Sequence, residues 1–102
     1  MHTIGKVNFA GFDCMVQKTY YGDNKRTALQ LYDLTDGFPV ATATVNIPEV
    51  ELKDDEVLIK DYSENEGMLD ALERAGIVWR TGESVSNGRV TIPVAKLLKG
   101  IS

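Results

Sequence analysis

From residue 3 to residue 46, apolar and polar side chains alternate with a period of two, interrupted by short clusters of turn-forming residues. That is the pattern of extended strands with one buried face, and such short interruptions leave no room for crossover helices. This half of the chain is therefore confined to an antiparallel meander. In Thr3 to Phe9, Val7 and Phe9 alternate with Lys6 and Asn8; after the turn Ala10-Gly11, Phe12, Cys14 and Val16 alternate with Asp13, Met15 and Gln17 through a strand that runs to Tyr20. Gly22-Asp23-Asn24-Lys25 is a turn by composition. A third strand follows at Arg26 to Leu34, with Leu29 and Leu31 on one face. Asp36-Gly37 then reverses the chain into a fourth, Pro39 to Asn46, rich in β-branched residues.

Pro48 and the acids around it oppose further pairing, which predicts a loop over 47–55 and a short fifth strand at Glu56 to Lys60. Only one window has helical spacing: Met68, Leu69, Leu72 and Ala75 recur on one face. Ser63 and Glu66 stand at the distance of a capping box, and Gly76 suits the left-handed position that closes a helix. A helix of roughly twelve residues is marginal alone, so it must pack on the sheet. Two more short strands, Ile77 to Arg80 and Arg89 to Val94, are separated by a Gly/Ser/Asn loop. Pro93, lacking an amide hydrogen, is expected on a sheet edge, and the tail from Ala95 to Ser102 as a helical turn or packed coil. The expectation is an α+β domain spanning 1–102, with a single antiparallel sheet and one α-helix on one face. At 102 residues and 43% apolar content, such a core can form without a metal or disulfide.

Charge is uneven. Glu49, Glu51, Asp54, Asp55, Glu56, Asp61, Glu64, Glu66, Asp70 and Glu73 face only Lys53 and Lys60, a local net of −8 within a total of −4, which leaves +4 elsewhere. That balance argues against direct nucleic-acid binding. The acidic stretch is either a solvated face that keeps the protein soluble or a surface for basic partners. No apolar run approaches the length of a membrane span and no signal-peptide core opens the chain; with the single Cys14, a reduced, cytoplasmic setting is expected.

The residues point away from an enzyme. His2, the one histidine, lies at a terminus where a relay base would be frayed, and Cys14 shares an apolar face with Phe12 and Val16, as a small core residue does. Glycine spacing forms no phosphate cradle, and the acids lack the spacing of a calcium loop, so neither cofactor nor metal is expected. Tyr62, Asn65 and Gly67 are not needed by the capping box. Either Gly67 relieves crowding and Tyr62 staples the helix start, or another chain approaches there. Of the adjacent Tyr20 and Tyr21, one is expected in the core and the other exposed, and Trp79 is expected in the core over the helix.

TALQLYDLTDGFPVATATVNIP and DDEVLIKDYSENEGMLDALERAGIV, and most specifically DEVLIKDYSENEGML, resemble a family of small proteins of unknown function encoded by bacteria, phages and mobile elements. The resemblance implies an anti-defence role like that of the small anti-CRISPR inhibitors, and it transfers no catalytic residue. The reading is a non-enzymatic inhibitor or adaptor that meets the basic surface of a larger protein, a nucleic-acid-binding effector in the case the resemblance implies. The contact residues would be Glu49, Glu51, Asp54, Asp55, Glu56, Asp61, Tyr62, Glu64, Asn65 and Glu66. The alternative is a structural module that pairs through an exposed sheet edge.

Overall fold

A computed structural model describes residues 2–98. The alternating half forms β1 (His2–Phe9), β2 (Phe12–Tyr20), β3 (Thr27–Asp33) and β4 (Pro39–Thr42), an antiparallel sheet in that order. Val7 pairs with Cys14 and Val16 with Leu31, so the apolar set of each strand lines one common face. The His2 backbone opens β1 opposite Lys18, and its side chain lies outside what the structure describes.

The α+β class, the N-terminal meander and the single α-helix agree with the sequence. The sheet, however, is not single. Past Ala43 the chain enters β5 (Thr44–Val45), which joins β6 (Glu56–Ile59), β7 (Val78–Asn87) and β8 (Val90–Leu97) in a second antiparallel sheet ordered β5-β6-β8-β7. The stretch Pro39 to Asn46, continuous in composition, changes sheets at one buried residue. The Ala43 amide donates to the Leu29 carbonyl at 2.8 Å, and its carbonyl accepts from the Lys60 amide at 2.8 Å. β-branched neighbours favour extended backbone without specifying which strand it pairs with, so composition carries no trace of the switch.

The main core lies between the sheets, where Val16, Leu29 and Leu31 meet Val57, Ile59 and Leu97. Met68, Leu69 and Leu72 of α1 (Met68–Arg74) enter the same core. Leu58, Ile92 and Val94 form a smaller cluster, covered by Ile47, Val50 and Leu52 of the 47–55 loop and by Tyr62. The adjacent Val57 and Leu58 point to opposite faces of β6, so the second sheet is apolar on both sides.

α1 is shorter than its spacing predicts, and the capping box does not form. Ser63 to Asn65 make a 3-10 turn in which Ser63 takes φ +55°, and no side chain caps that turn. The cap is Asp61, whose Oδ1 accepts from the amides of Gly67 and Leu69 at 3.1 Å each. Gly67 begins the helix at φ +94° with open space where a Cβ would stand, so it serves backbone geometry and relieves no crowding. Gly76 closes the helix as expected: its amide reaches the Glu73 carbonyl and that of Ile77 reaches Leu72, the paired bonds of a Schellman ending.

The loop expected after Arg80 is strand instead. β7 and β8 form a hairpin closed by Gly88-Arg89, with Asn87 opposite Val90. β8 lies between β6 and β7, so Pro93 is not on an edge strand. It is tolerated because pairing with β6 stops at Val94, and because its partner Ser84 follows an irregularity in β7. Ala95 to Leu97 extend β8 rather than turning; residues 99–102 of the expected tail lie outside the described residues.

Candidate functional site

The loop from Ile47 to Asp55 carries the densest part of the acidic stretch, and its backbone is held. The Arg26 guanidinium donates to the Ile47 carbonyl at 2.8 Å and also to the Val50 carbonyl. Val50 closes a turn onto Ile47 at 3.1 Å. Glu56 accepts from the Lys53 amide at 2.9 Å, which makes that carboxylate a brace. Upstream, Asp23, Asn24 and Asn46 form a short side-chain chain with two bonds of 3.0 Å, tying the β2–β3 turn to the loop entrance. With Ile47, Val50 and Leu52 packed inward, Glu49, Glu51 and Asp54 are left exposed, and among the described residues they make no ion pair. Asp54 and Glu56 also line a polar groove of about 370 Å³ with Lys18, Lys25 and Arg26.

The other site residues fall into different roles. Asp55 is half-buried and pairs with Lys96 at 3.4 Å. Asp61 caps the helix. Tyr62 is half-buried on the smaller cluster, which brings the helix approach beside the loop. Glu64 is exposed and bonds Lys60; that bond holds the carboxyl below its ordinary value and raises the ammonium. Glu66 is exposed, without an ion pair among the described residues. Asn65 is only 2% exposed, and its Nδ2 donates to the Thr42 carbonyl at 2.7 Å, so no partner can reach it directly. The acidic stretch thus supplies exposed carboxylates, a brace and a helix cap.

The aromatic expectations divide. Tyr20 is exposed, while Tyr21 is half-buried with its hydroxyl bonded to Thr44 at 2.8 Å, as adjacent strand positions require. Trp79 is 63% exposed and not in the core. Val78 takes the inward position, which turns Trp79 to the other face opposite Lys96. Cys14 is buried, and its thiol is pushed above the ordinary range by burial and then by Asp33 and Asp13. Such a group is a poor nucleophile. No cluster of three metal-ligating side chains, and no helix long and apolar enough to cross a membrane, occurs among the described residues.

Sequence reasoning missed the latch on β7, because its members meet only in the fold. Glu73 accepts from the Arg80 backbone amide and from its Nε, both at 2.8 Å, and Asp70 accepts from the same guanidinium at 2.5 Å. One acid of α1 therefore occupies an outward amide of the edge strand. The irregularity between Arg80 and Ser84, where Gly82 takes φ +88°, disrupts the next stretch of edge. Compared with protein-family models, with curated proteins and with solved structures, the chain matches none.

Proposed function

We propose that this protein is a non-enzymatic binding module, an inhibitor or adaptor of phage or mobile-element origin, which docks on the basic surface of a larger protein through Glu49, Glu51 and Asp54. The supporting observation is the held loop: the Arg26 clamp and the packed Ile47, Val50 and Leu52 present these carboxylates on fixed backbone, in no ion pair among the described residues. Little ordering entropy is then lost on binding, and the charges steer encounter with a basic partner. Glu64 and Glu66 extend the face toward the helix start. If the partner is a nucleic-acid-targeting defence effector, as the family resemblance implies, the carboxylates take the positions of phosphates and compete with the nucleic acid in a salt-sensitive way. A cytoplasmic location belongs to the same proposal.

The sheet-edge alternative has less support, because Glu73 and the Gly82 irregularity guard β7. Sedimentation at micromolar concentration should give a monomer. The decisive variant combines Glu49→Lys, Glu51→Lys and Asp54→Lys, none of which touches the core. It should melt with the wild type and fail to retain the basic protein that the wild type captures from host lysate. Retention of the same protein by the variant at equal salt would overturn the proposal.

A further inference from the structure

Two of the large apolar side chains left most exposed, Phe12 (48%) and Phe38 (69%), stand at the same end of the first sheet, where the β1–β2 and β3–β4 turns lie side by side. The register puts an acid between them. Phe12 precedes Cys14 by two residues and so shares its face, and Cys14 is opposite Asp33. On the other side, Tyr32 pairs with Pro39, and the next position brings Phe38 opposite Asp33, with the Asp33 amide donating to the Phe38 carbonyl at 2.8 Å. Asp33 therefore has Phe38 directly across and Phe12 on the diagonal, both within reach of one bound side chain.

This end is braced before anything binds. Asp33 Oδ1 accepts the Thr35 amide at 2.7 Å, Asp36 the Phe38 amide at 3.0 Å, and Asp13 the Asn8 side chain at 3.0 Å. The Leu34 amide ties the two turns together through the Asp13 carbonyl at 2.9 Å. The second oxygen of Asp33 accepts no hydrogen bond among the described residues. Asp33 is joined by Asp36 of the adjoining turn, whereas Asp13 alternates to the opposite face, where it lies with Lys6, Asn8 and Leu34.

We infer that this end of the first sheet is a docking site for a basic segment of a partner protein, seating a lysine or arginine side chain on Asp33 between the rings of Phe12 and Phe38. The free carboxylate oxygen supplies a charge-assisted acceptor, and the ring faces supply cation–π attraction. The excess of acid makes a second copy of this chain the wrong occupant, since two such ends repel. The site shares no residue with the 49–66 face and stands without it.

The test is an amide-resolved NMR titration of the full chain with tetra-arginine peptide as probe and tetra-glutamine as control. Tetra-arginine should give saturable shifts at 12–14 and 33–38 that weaken with salt, and tetra-glutamine should give none there. Asp33→Asn keeps an oxygen for the Thr35 amide but removes the charge, and Phe38→Ala removes a ring from the surface; each should weaken binding about three- to tenfold at unchanged melting temperature. The Glu49, Glu51, Asp54 triple variant should keep these shifts and lose any at 49–56, so the two surfaces fail separately. Absence of shifts at this end, wild-type affinity in both single variants, or self-association abolished by Phe38→Ala would overturn the inference.

Discussion

Asn65 and Ser63 stand two residues apart and contribute in opposite ways. The buried Asn65 side-chain amide donates to the Thr42 carbonyl where β4 ends, and its loss removes a part-buried hydrogen bond between the helix approach and β4. Asn65→Ala should therefore cost about 1–3 kcal/mol in urea unfolding. Ser63 makes no cap bond and holds a left-handed backbone, so Ser63→Ala should stay within about 0.5 kcal/mol, and Ser63→Gly should gain up to about 1 kcal/mol. The reverse order would mean that the capping box forms in solution. The spacing from Ser63 to Glu66 was legible and misleading, since the same four residues suit a 3-10 turn. The true cap, Asp61, reaches amides six and eight residues away, and the acceptor of Asn65 is 23 residues distant. Neither relation leaves a local signature.

The meander and the presence of a helix were readable because alternation and helical period are local properties; partner choice between strands is not. Pro93 obeys the rule for proline in sheets, but its escape comes from where β6 stops, which its own neighbours do not encode. The latch from α1 to β7 is invisible for the same reason, and it carries a pH signature. Arg80 holds the Glu73 carboxyl below its ordinary value of 4.5, first through the side-chain hydrogen bond. A carboxyl whose pKa is lower folded than unfolded stabilises the fold above the unfolded value, and that contribution disappears as pH falls through the folded one. Stability should thus decline as pH drops below about 4.5, and Glu73→Gln should flatten that decline while losing stability at neutral pH. An acid limb unchanged in the variant, followed by urea midpoints from pH 6 to pH 3, would show that the latch does not persist in solution.

Across the molecule, the acids of 49–73 do not act as one patch. They divide between the clamped loop, the helix start and the α1–β7 latch, a partition that charge counting along the chain cannot show. One of the links between the two sheets is a single residue. Ala43 spends its amide on β3 and its carbonyl on the residue that follows β6, so one peptide segment is shared by both hydrogen-bonded systems. Neither sheet can open without stripping a buried polar group from the other. The protein should accordingly unfold as one cooperative unit: the slowest-exchanging amides of β2 and of β8 should report the same opening free energy. Fluorescence of Trp79, the one tryptophan and a reporter of the second sheet, should change at the same urea midpoint as far-UV circular dichroism. Two separated midpoints would mean that Ala43 is a hinge and not a rivet.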